Sequence, residues 1–170
     1  DPTTGAIVTP IYQTSTYIQA SPGDHKGYEY SRTGNPTRNA LEKNLAALEN
    51  GKYGLCFGSG MSAIDAIIKL LSPGDEVIST NDLYGGTYNQ FKNPLSDMGI
   101  EVRFVDPGDP ENFSKATDER TRAYYGEVLP NPSFEVFPIE EVANIGRPLG
   151  IPLIVDNTAS PLICRPFSHG

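Results

Sequence analysis

Apolar positions along the chain fall into two periods, separated by Gly- and Pro-rich punctuation, and the periods predict alternating helices and strands after an irregular start. Beginning at Arg38, Leu41, Leu45 and Leu48 recur at helical spacing. Thr37 stands ahead of them as a candidate N-cap, and Asn50-Gly51 supplies a stop. Residues 53–57 read as a short buried strand. A second helix carries Ile64, Ile67, Ile68 and Leu71 on one face and is stopped by Ser72-Pro73-Gly74. Strands are then expected at 76–79, 102–105, 122–127 and 152–155, the last running into Asp156. Helices are expected at 87–97, 111–117 and 139–147. Strands separated by helical segments imply right-handed βαβ units and an α/β fold with a mainly parallel (mixed) sheet flanked by helices.

Residues 1–37 lack such a period. Pro2, Pro10, Pro22 and Pro36 alternate with Gly5, Gly23, Gly27 and Gly34, while Ile7, Val8, Ile11, Tyr12, Tyr17 and Ile18 give apolar anchor points. An extended arm of this kind has no core of its own and is expected to lie on another surface, such as a neighbouring subunit. The division expected is therefore an arm over 1–37 and the first part of an α/β domain over 38–170. At the other end, 161–170 has loop chemistry and no final helix to cover the sheet, so the chain is expected to be truncated. It begins at Asp1 without Met, so a preceding segment is also allowed for.

Composition narrows the function classes. A hydrophobic fraction of 38% is that of a globular chain rather than a disordered one. Thirteen basic against 21 acidic residues leave a formal charge of −8 with no basic stripe, which argues against nucleic acid as a partner. Cys56 and Cys164 fit no metal spacing and are expected to be reduced, buried thiols. No apolar run approaches the ~18 residues needed to span a bilayer, and no signal-peptide pattern is present. A cytoplasmic setting is the default expectation.

In open parallel sheets ligands bind beyond the carboxyl ends of the strands, so the residues that follow each expected strand are the candidates for chemistry. Gly58-Ser59-Gly60-Met61 leads into a helix and offers backbone N–H groups to an anion, although short Gly-rich turns entering helices are equally common as plain structure. No Gly-Lys-Ser/Thr follows, which rules out a Walker A loop, and Ser62-Ala63 stands where a dinucleotide fingerprint needs its last glycine. Tyr84, followed by Gly85-Gly86, either presents its ring to a ligand or packs in the turn. Glu127 and Asn131-Pro132 come after the fourth strand, and Asp156-Asn157-Thr158 after the fifth. A carboxylate such as Asp156 at the end of an apolar strand is costly unless it meets a cation or several donors. Its ordinary role is to cap a turn, and its functional counterpart is a protonated ring nitrogen. Tyr30 and Arg32 bring a hydroxyl and a forked guanidinium into the arm. His25 and His169 have no partner that the sequence establishes.

Taken in order, Tyr30-Ser31-Arg32-Thr33-Gly34-Asn35-Pro36-Thr37, Ser59-Gly60-Met61, Leu83-Tyr84-Gly85-Gly86-Thr87, Asn131-Pro132 and Val155-Asp156-Asn157-Thr158 resemble the cystathionine and methionine metabolism family of fold-type I pyridoxal-phosphate enzymes. Residues 99–106 and Cys164-Arg165-Pro166 are most similar to the O-acetylhomoserine sulfhydrylases within it. The resemblance implies a large pyridoxal-phosphate-binding domain and subunits assembled as a homodimer or homotetramer. It implies replacement of the acetoxy group of O-acetylhomoserine by sulfide or methanethiol, giving homocysteine or methionine plus acetate. It also implies roles. Ser59, Gly60 and Met61 bind the cofactor phosphate; Tyr84 stacks on the ring; Asp156 pairs with its nitrogen, supported by Thr158; and Asn131 sits near the ring's 3-oxygen and the substrate carboxylate. Tyr30 and Arg32 reach the phosphate in a neighbouring subunit.

The sequence departs from the family pattern in several places. The Ser-x-Thr-Lys motif that carries the cofactor is absent, as is the family's substrate-carboxylate arginine. Lys26, Lys43, Lys52, Lys69, Lys92 and Lys115 all lie in other contexts, so the 170 residues alone are expected to be inactive. Gly58 replaces a frequent serine, and Pro130 precedes Asn131. Gly86 stands where some lyases carry cysteine, which favours substitution over elimination. The alternatives are methionine γ-lyase or cystathionine γ-synthase or γ-lyase activity, and, from another class, a nucleotide-binding or purely structural α/β domain.

Overall fold

The computed structural model describes residues 1 and 3–170; Pro2, counted above among the prolines of the arm, lies outside the described residues. The chain forms two compact units, residues 1–56 and residues 57–170.

In the first unit the expected irregular arm contains a small hairpin, β1 (Gln19–Ser21) and β2 (Asp24–His25). It is extended by backbone bonds from Tyr17 to Glu29 and from Ser31 to Ser15, and the Tyr17 and Tyr28 rings pack 5.6 Å apart. Helix α1 spans Pro36–Leu48 and is capped by Asn35, not Thr37: the Asn35 side chain accepts the Thr37 N–H at 2.9 Å. Pro36 decides this, because its fixed φ and missing N–H suit the first helical position, which puts the cap at Asn35, two residues before Thr37. Thr37 instead donates its hydroxyl to the Pro10 carbonyl and accepts the Tyr12 N–H, which fastens the arm to the helix. The Leu41–Leu45–Leu48 stripe is not core in this unit. Only Ala46 of α1 is buried, and the three leucines stay 37% to 52% exposed. Nor is there a strand at 53–57. Gly54 lies so close to α1 that a Cβ would come within 2.3 Å of the Glu42 carbonyl oxygen, and the Glu42 side chain takes the Cys56 N–H. With its N–H bonded to a helix side chain, the segment has no ladder to join.

The second unit is built on four parallel strands, β3 (Glu76–Thr80), β4 (Glu101–Val105), β5 (Thr121–Glu127) and β6 (Leu153–Asp156), in the spatial order β4-β3-β5-β6. Helix α2 (Gly60–Ile68) precedes the sheet, and α3 (Gly85–Lys92), α4 (Pro94–Asp97), α5 (Glu111–Ala116) and α6 (Ile139–Gly146) lie in the connections between its strands. The expected single helix over 87–97 is two, because Pro94 cannot donate the hydrogen bond that would carry α3 onward. The second predicted helix ends at Ile68 rather than Leu71, which packs half-buried on the core from outside the helix, and Ile67 is more than a third exposed.

Alternation along the strands sorts the core into two layers. Val77 and Tyr125 pack with Ile64, Ile68, Phe91, Leu95 and Ile100 on one face; Ile78 and Tyr124 pack with Phe113, Phe137 and Val142 on the other. Edge-to-face ring pairs stiffen both layers, Phe91–Tyr125 at 4.9 Å and Phe113–Tyr124 at 5.4 Å. Gly126 in β5 is required by close packing, since a Cβ there would come 2.5 Å from the Phe137 ring.

At the amino end of the sheet, fully buried Glu76 receives Arg103 at 2.6 Å, Arg120 at 3.3 Å and the Thr121 hydroxyl at 3.2 Å. Burial nevertheless raises its carboxyl above the usual range, with Arg103 working the other way. The chain runs from β3 outward to β4 and then returns to the opposite side of β3 as β5. The crevice between the carboxyl ends of β3 and β5 is therefore the topological switch point of this sheet, the place where α/β proteins hold ligands.

Candidate functional site

A cavity of about 570 Å³ opens there. Seven of the nine residues singled out from the sequence line it: Ser59, Gly60, Met61, Tyr84, Asn131, Asp156 and Thr158. The other two, Tyr30 and Arg32, belong to the first unit, where the Arg32 guanidinium lies 4.8 Å from the centre of the Tyr30 ring.

One end of the cavity is the start of α2. Ser59 is the N-cap in extended conformation, and its hydroxyl oxygen accepts the Ser62 N–H at 3.1 Å. The Ala63 N–H closes onto the Ser59 carbonyl. The Gly60 and Met61 N–H groups are left without an intrahelical acceptor, as the first turn of any helix requires. Space beside Gly60 is open, with nothing within 4 Å of where a Cβ would be. Two free donors on a positive helix end make an anion site.

The other end is acidic. Asp156 Oδ1 accepts the Thr158 N–H at 3.0 Å and its hydroxyl at 2.5 Å, so one carboxylate oxygen caps the turn while Oδ2 lies 3.5 Å from the Tyr125 hydroxyl. The turn-capping role and a role towards a ligand are thus divided between the two oxygens. Burial, reinforced by the charges of Asp156 and Glu127, holds the Tyr125 phenol far above the usual tyrosine range, so it remains a donor. Glu127 pairs in register with Asp156 on the neighbouring strand and is only 7% exposed. Its Oε1 accepts the Tyr84 N–H at 2.8 Å. Burial raises its carboxyl, the Tyr84 N–H acts against that, and the charges of Asp156 and Asp82 add to it. No Lys, Arg or His is among the described residues lining the cavity.

Between these ends stands Tyr84, the residue that opens α3, 52% exposed with its ring against Gly86. Asn131 follows β5 and begins a cis peptide bond to Pro132; the Ser133 hydroxyl in the same loop donates to Asp82. Sequence reasoning noted Thr87 and Glu127 at the rim but gave them no role, and it missed Tyr125 and Phe134. A usable signal existed for two of these. Tyr125 and Glu127 are i and i+2 on one strand, so they share the face that also carries Asp156 in register.

An open helix start, an exposed aromatic ring and a carboxylate without a cation call for a ligand that carries an anion, a flat ring and a positive charge. Phosphate, pyridine ring and protonated ring nitrogen meet those needs, so the residues present fit pyridoxal 5'-phosphate.

A family model described as Cys/Met metabolism PLP-dependent enzyme matches residues 1–170. The chain belongs to this family. Its members use pyridoxal 5'-phosphate, which makes that molecule the cofactor. The chain is 47% identical, over 98% of its length, to a probable cystathionine gamma-synthase of Herpetosiphon aurantiacus, of which it covers 53%. It is 41% identical to the O-acetyl-L-homoserine sulfhydrylase of Leptospira meyeri, covering 41% of that protein. The crystal structure of cystathionine gamma-lyase from Lactobacillus plantarum complexed with L-serine superposes with a TM-score of 0.95 at 40% identity, and the chain covers 45% of it. The chain thus spans about half the length of these family members. Among the described residues no helix is long and apolar enough to cross a membrane, and no cluster of three or more His, Cys, Asp or Glu could hold a metal ion.

Proposed function

We propose that the protein containing this chain is a cytoplasmic enzyme of sulfur amino-acid metabolism that replaces the acetoxy group of O-acetyl-L-homoserine with sulfide or methanethiol. The observation that carries the cofactor half of this reading is one cavity with an anion-binding helix start at one end and Asp156 at the other. The substrate half is supported by the likeness of residues 99–106 and Cys164-Arg165-Pro166 to the sulfhydrylases, and by the similarity to the Leptospira meyeri enzyme.

Ser59 and the N–H groups of Gly60 and Met61 hold the phosphate. Tyr84 lies against the ring face and excludes water from it. Asp156 keeps the ring nitrogen protonated, and the two bonds from Thr158 to Oδ1 leave Oδ2 for that contact. Asn131 orients the ring's 3-oxygen and the substrate carboxylate. Tyr30 and Arg32 serve the phosphate of a neighbouring subunit, which gives the 1–37 arm its reason to lie on another chain and makes the protein a homodimer or homotetramer. Bound in this way, the cofactor supplies an electron sink for carbanions at the substrate α-carbon.

Elimination is the second reading, favoured by the 0.95 superposition on the Lactobacillus plantarum lyase. Product analysis with O-acetyl-L-homoserine and sulfide separates the two. Homocysteine and acetate are expected; a 2-oxo acid and ammonia would overturn the substitution reading. A purified full-length protein that stays colourless with pyridoxal phosphate, with no borohydride-sensitive visible band, would overturn both.

A further inference from the structure

One buried polar group in the cavity has no part in the function just described. Glu127 ends β5 at 7% exposure, with Asp156 beside it in register and no cation among the described lining residues. Stability alone would favour an uncharged side chain of the same size, because a buried carboxylate with one N–H donor is incompletely compensated. Among the described residues its hydrogen-bond donor is the Tyr84 N–H, 43 residues away in sequence, at 2.8 Å.

Tyr84 needs such a tether. It precedes two glycines at the start of α3, makes no side-chain cap bond, and leaves half its surface exposed. Over residues 82–84 the turn is held by three long-range contacts. Asp82 accepts the Ser133 hydroxyl, Leu83 is buried in the apolar cluster, and Tyr84 donates its N–H to Glu127. The third acts on the backbone N–H of the residue whose ring lines the cavity and ties it to the sheet, while its carbonyl accepts the Tyr88 N–H within α3.

We infer that Glu127 is a positioning residue: its side-chain oxygen holds the Tyr84 backbone so that the phenol ring stays where the cofactor ring stacks. The inference rests on the reading of Tyr84 as the stacking residue.

Its test compares E127Q and E127L in the full natural protein. Two quantities are read: exchange of the single Tyr84 amide hydrogen in the cofactor-free protein, and the dissociation constant for pyridoxal phosphate from spectral titration. A carboxamide oxygen still accepts the N–H, so E127Q is expected to keep Tyr84 protected and to bind cofactor within about threefold of wild type. Leucine fills the space but accepts nothing. E127L is expected to speed exchange at Tyr84 by about tenfold or more and to weaken cofactor binding about tenfold, with protection in the centres of β3 and β5 unchanged. Wild-type protection and affinity in E127L would overturn the inference. So would an E127Q as impaired as E127L, because charge rather than the acceptor would then be the operative property. If E127L fails to fold, E127D takes its place, since one methylene less withdraws the acceptor and predicts the same loss. A wild-type protein that binds no cofactor would refute the proposed function, yet exchange at Tyr84 would still decide the role of Glu127.

Discussion

Replacing Gly86 with alanine separates the needs of the site from the needs of the fold. A Cβ at Gly86 would stand 2.5 Å from Tyr84 Cε1, 3.2 Å from Cδ1 and 3.3 Å from the Met61 sulfur. Carbon atoms settle about 3.5–4.0 Å apart, so the ring must retreat by about 1 Å. It has room to do so, being 52% exposed. The fold therefore loses little, and the helix gains: alanine for glycine in a helix interior is worth about 0.5–1 kcal/mol, less in a first turn. On the proposed role of Tyr84, the cofactor loses its stacking partner. Aromatic pairs contribute about 0.5–1.5 kcal/mol beyond area burial, which converts to about 2- to 12-fold in affinity. Gly126→Ala provides the contrast, because its Cβ would meet three Phe137 ring carbons at 2.5–2.8 Å and that ring is 4% exposed. With no room to yield, overpacking there should cost about 1–3 kcal/mol. Thermal melts and cofactor titrations on both variants are the assay. Gly86→Ala should melt at or above the wild-type temperature while binding pyridoxal phosphate several-fold more weakly, and Gly126→Ala should melt several degrees lower. The reasoning fails if Gly86→Ala binds cofactor like wild type, or if it melts as low as Gly126→Ala.

Asp156→Asn should weaken cofactor binding at least about tenfold, since a neutral amide no longer favours the protonated ring nitrogen. Thr158→Val should have a smaller effect, and an Asp156→Asn variant with wild-type affinity in the same titration would remove Asp156 from the proposed role. Glu127→Gln makes a pH prediction through the sign of its shift. Burial raises this carboxyl above its ordinary value of 4.5, so the folded state retains the proton where the unfolded chain has lost it. The stabilising contribution is complete below the unfolded value and is lost as pH rises through the folded one. The non-ionising glutamine variant should therefore gain on wild type, in urea denaturation, as pH climbs from 4.5 towards neutrality; a gap that does not change with pH counts against the burial argument. Glu76→Ala should destabilise by about 3 kcal/mol, the lower end for a broken buried ion pair, because Arg103 and Arg120 are 35% and 43% exposed and can turn to water. A loss under about 1 kcal/mol in the same denaturation assay would contradict it.

Much of the α/β unit could be read from the sequence because each of its strands is a short apolar run bounded by turn residues, and parallel strands buried on both faces have that appearance. The lining of the cavity was legible for a related reason: the polar residues that follow such strands stand out against them. The errors have physical causes. The Leu41–Leu45–Leu48 period marks a face to be covered without saying what covers it, and nothing among the described residues of the first unit does. The supposed strand at 53–57 is apolar enough to be one, but the Cys56 N–H goes to Glu42, a long-range bond that no local pattern announces. The split between α3 and α4 could have been read directly from Pro94. The part of Glu127 is of another kind, because a bond to a backbone N–H 43 residues away leaves no mark on either residue type.

The two ends of the sheet carry the same kind of residue under opposite conditions, and the contrast locates function without reference to any relative. At the amino end, buried Glu76 is met by two guanidiniums and a hydroxyl. At the carboxyl end, Glu127 and Asp156 lie in register on adjacent strands with only neutral donors among the described residues, Tyr84, Tyr125 and Thr158, around them. An ion cluster that serves stability alone has its countercharges built in, as the first does. The second is left short of positive charge beside an open anion site at the start of α2, and a molecule with a phosphate at one end and a protonated ring nitrogen at the other supplies what the chain omits. Loading with pyridoxal phosphate should therefore stabilise the carboxyl end of the sheet far more than the amino end. Hydrogen exchange with and without cofactor would show this as added protection at Glu127, Val128 and Thr158, with Glu76 and Val77 unchanged. Equal protection at both ends would mean that the charge deficit is not what the cofactor fills.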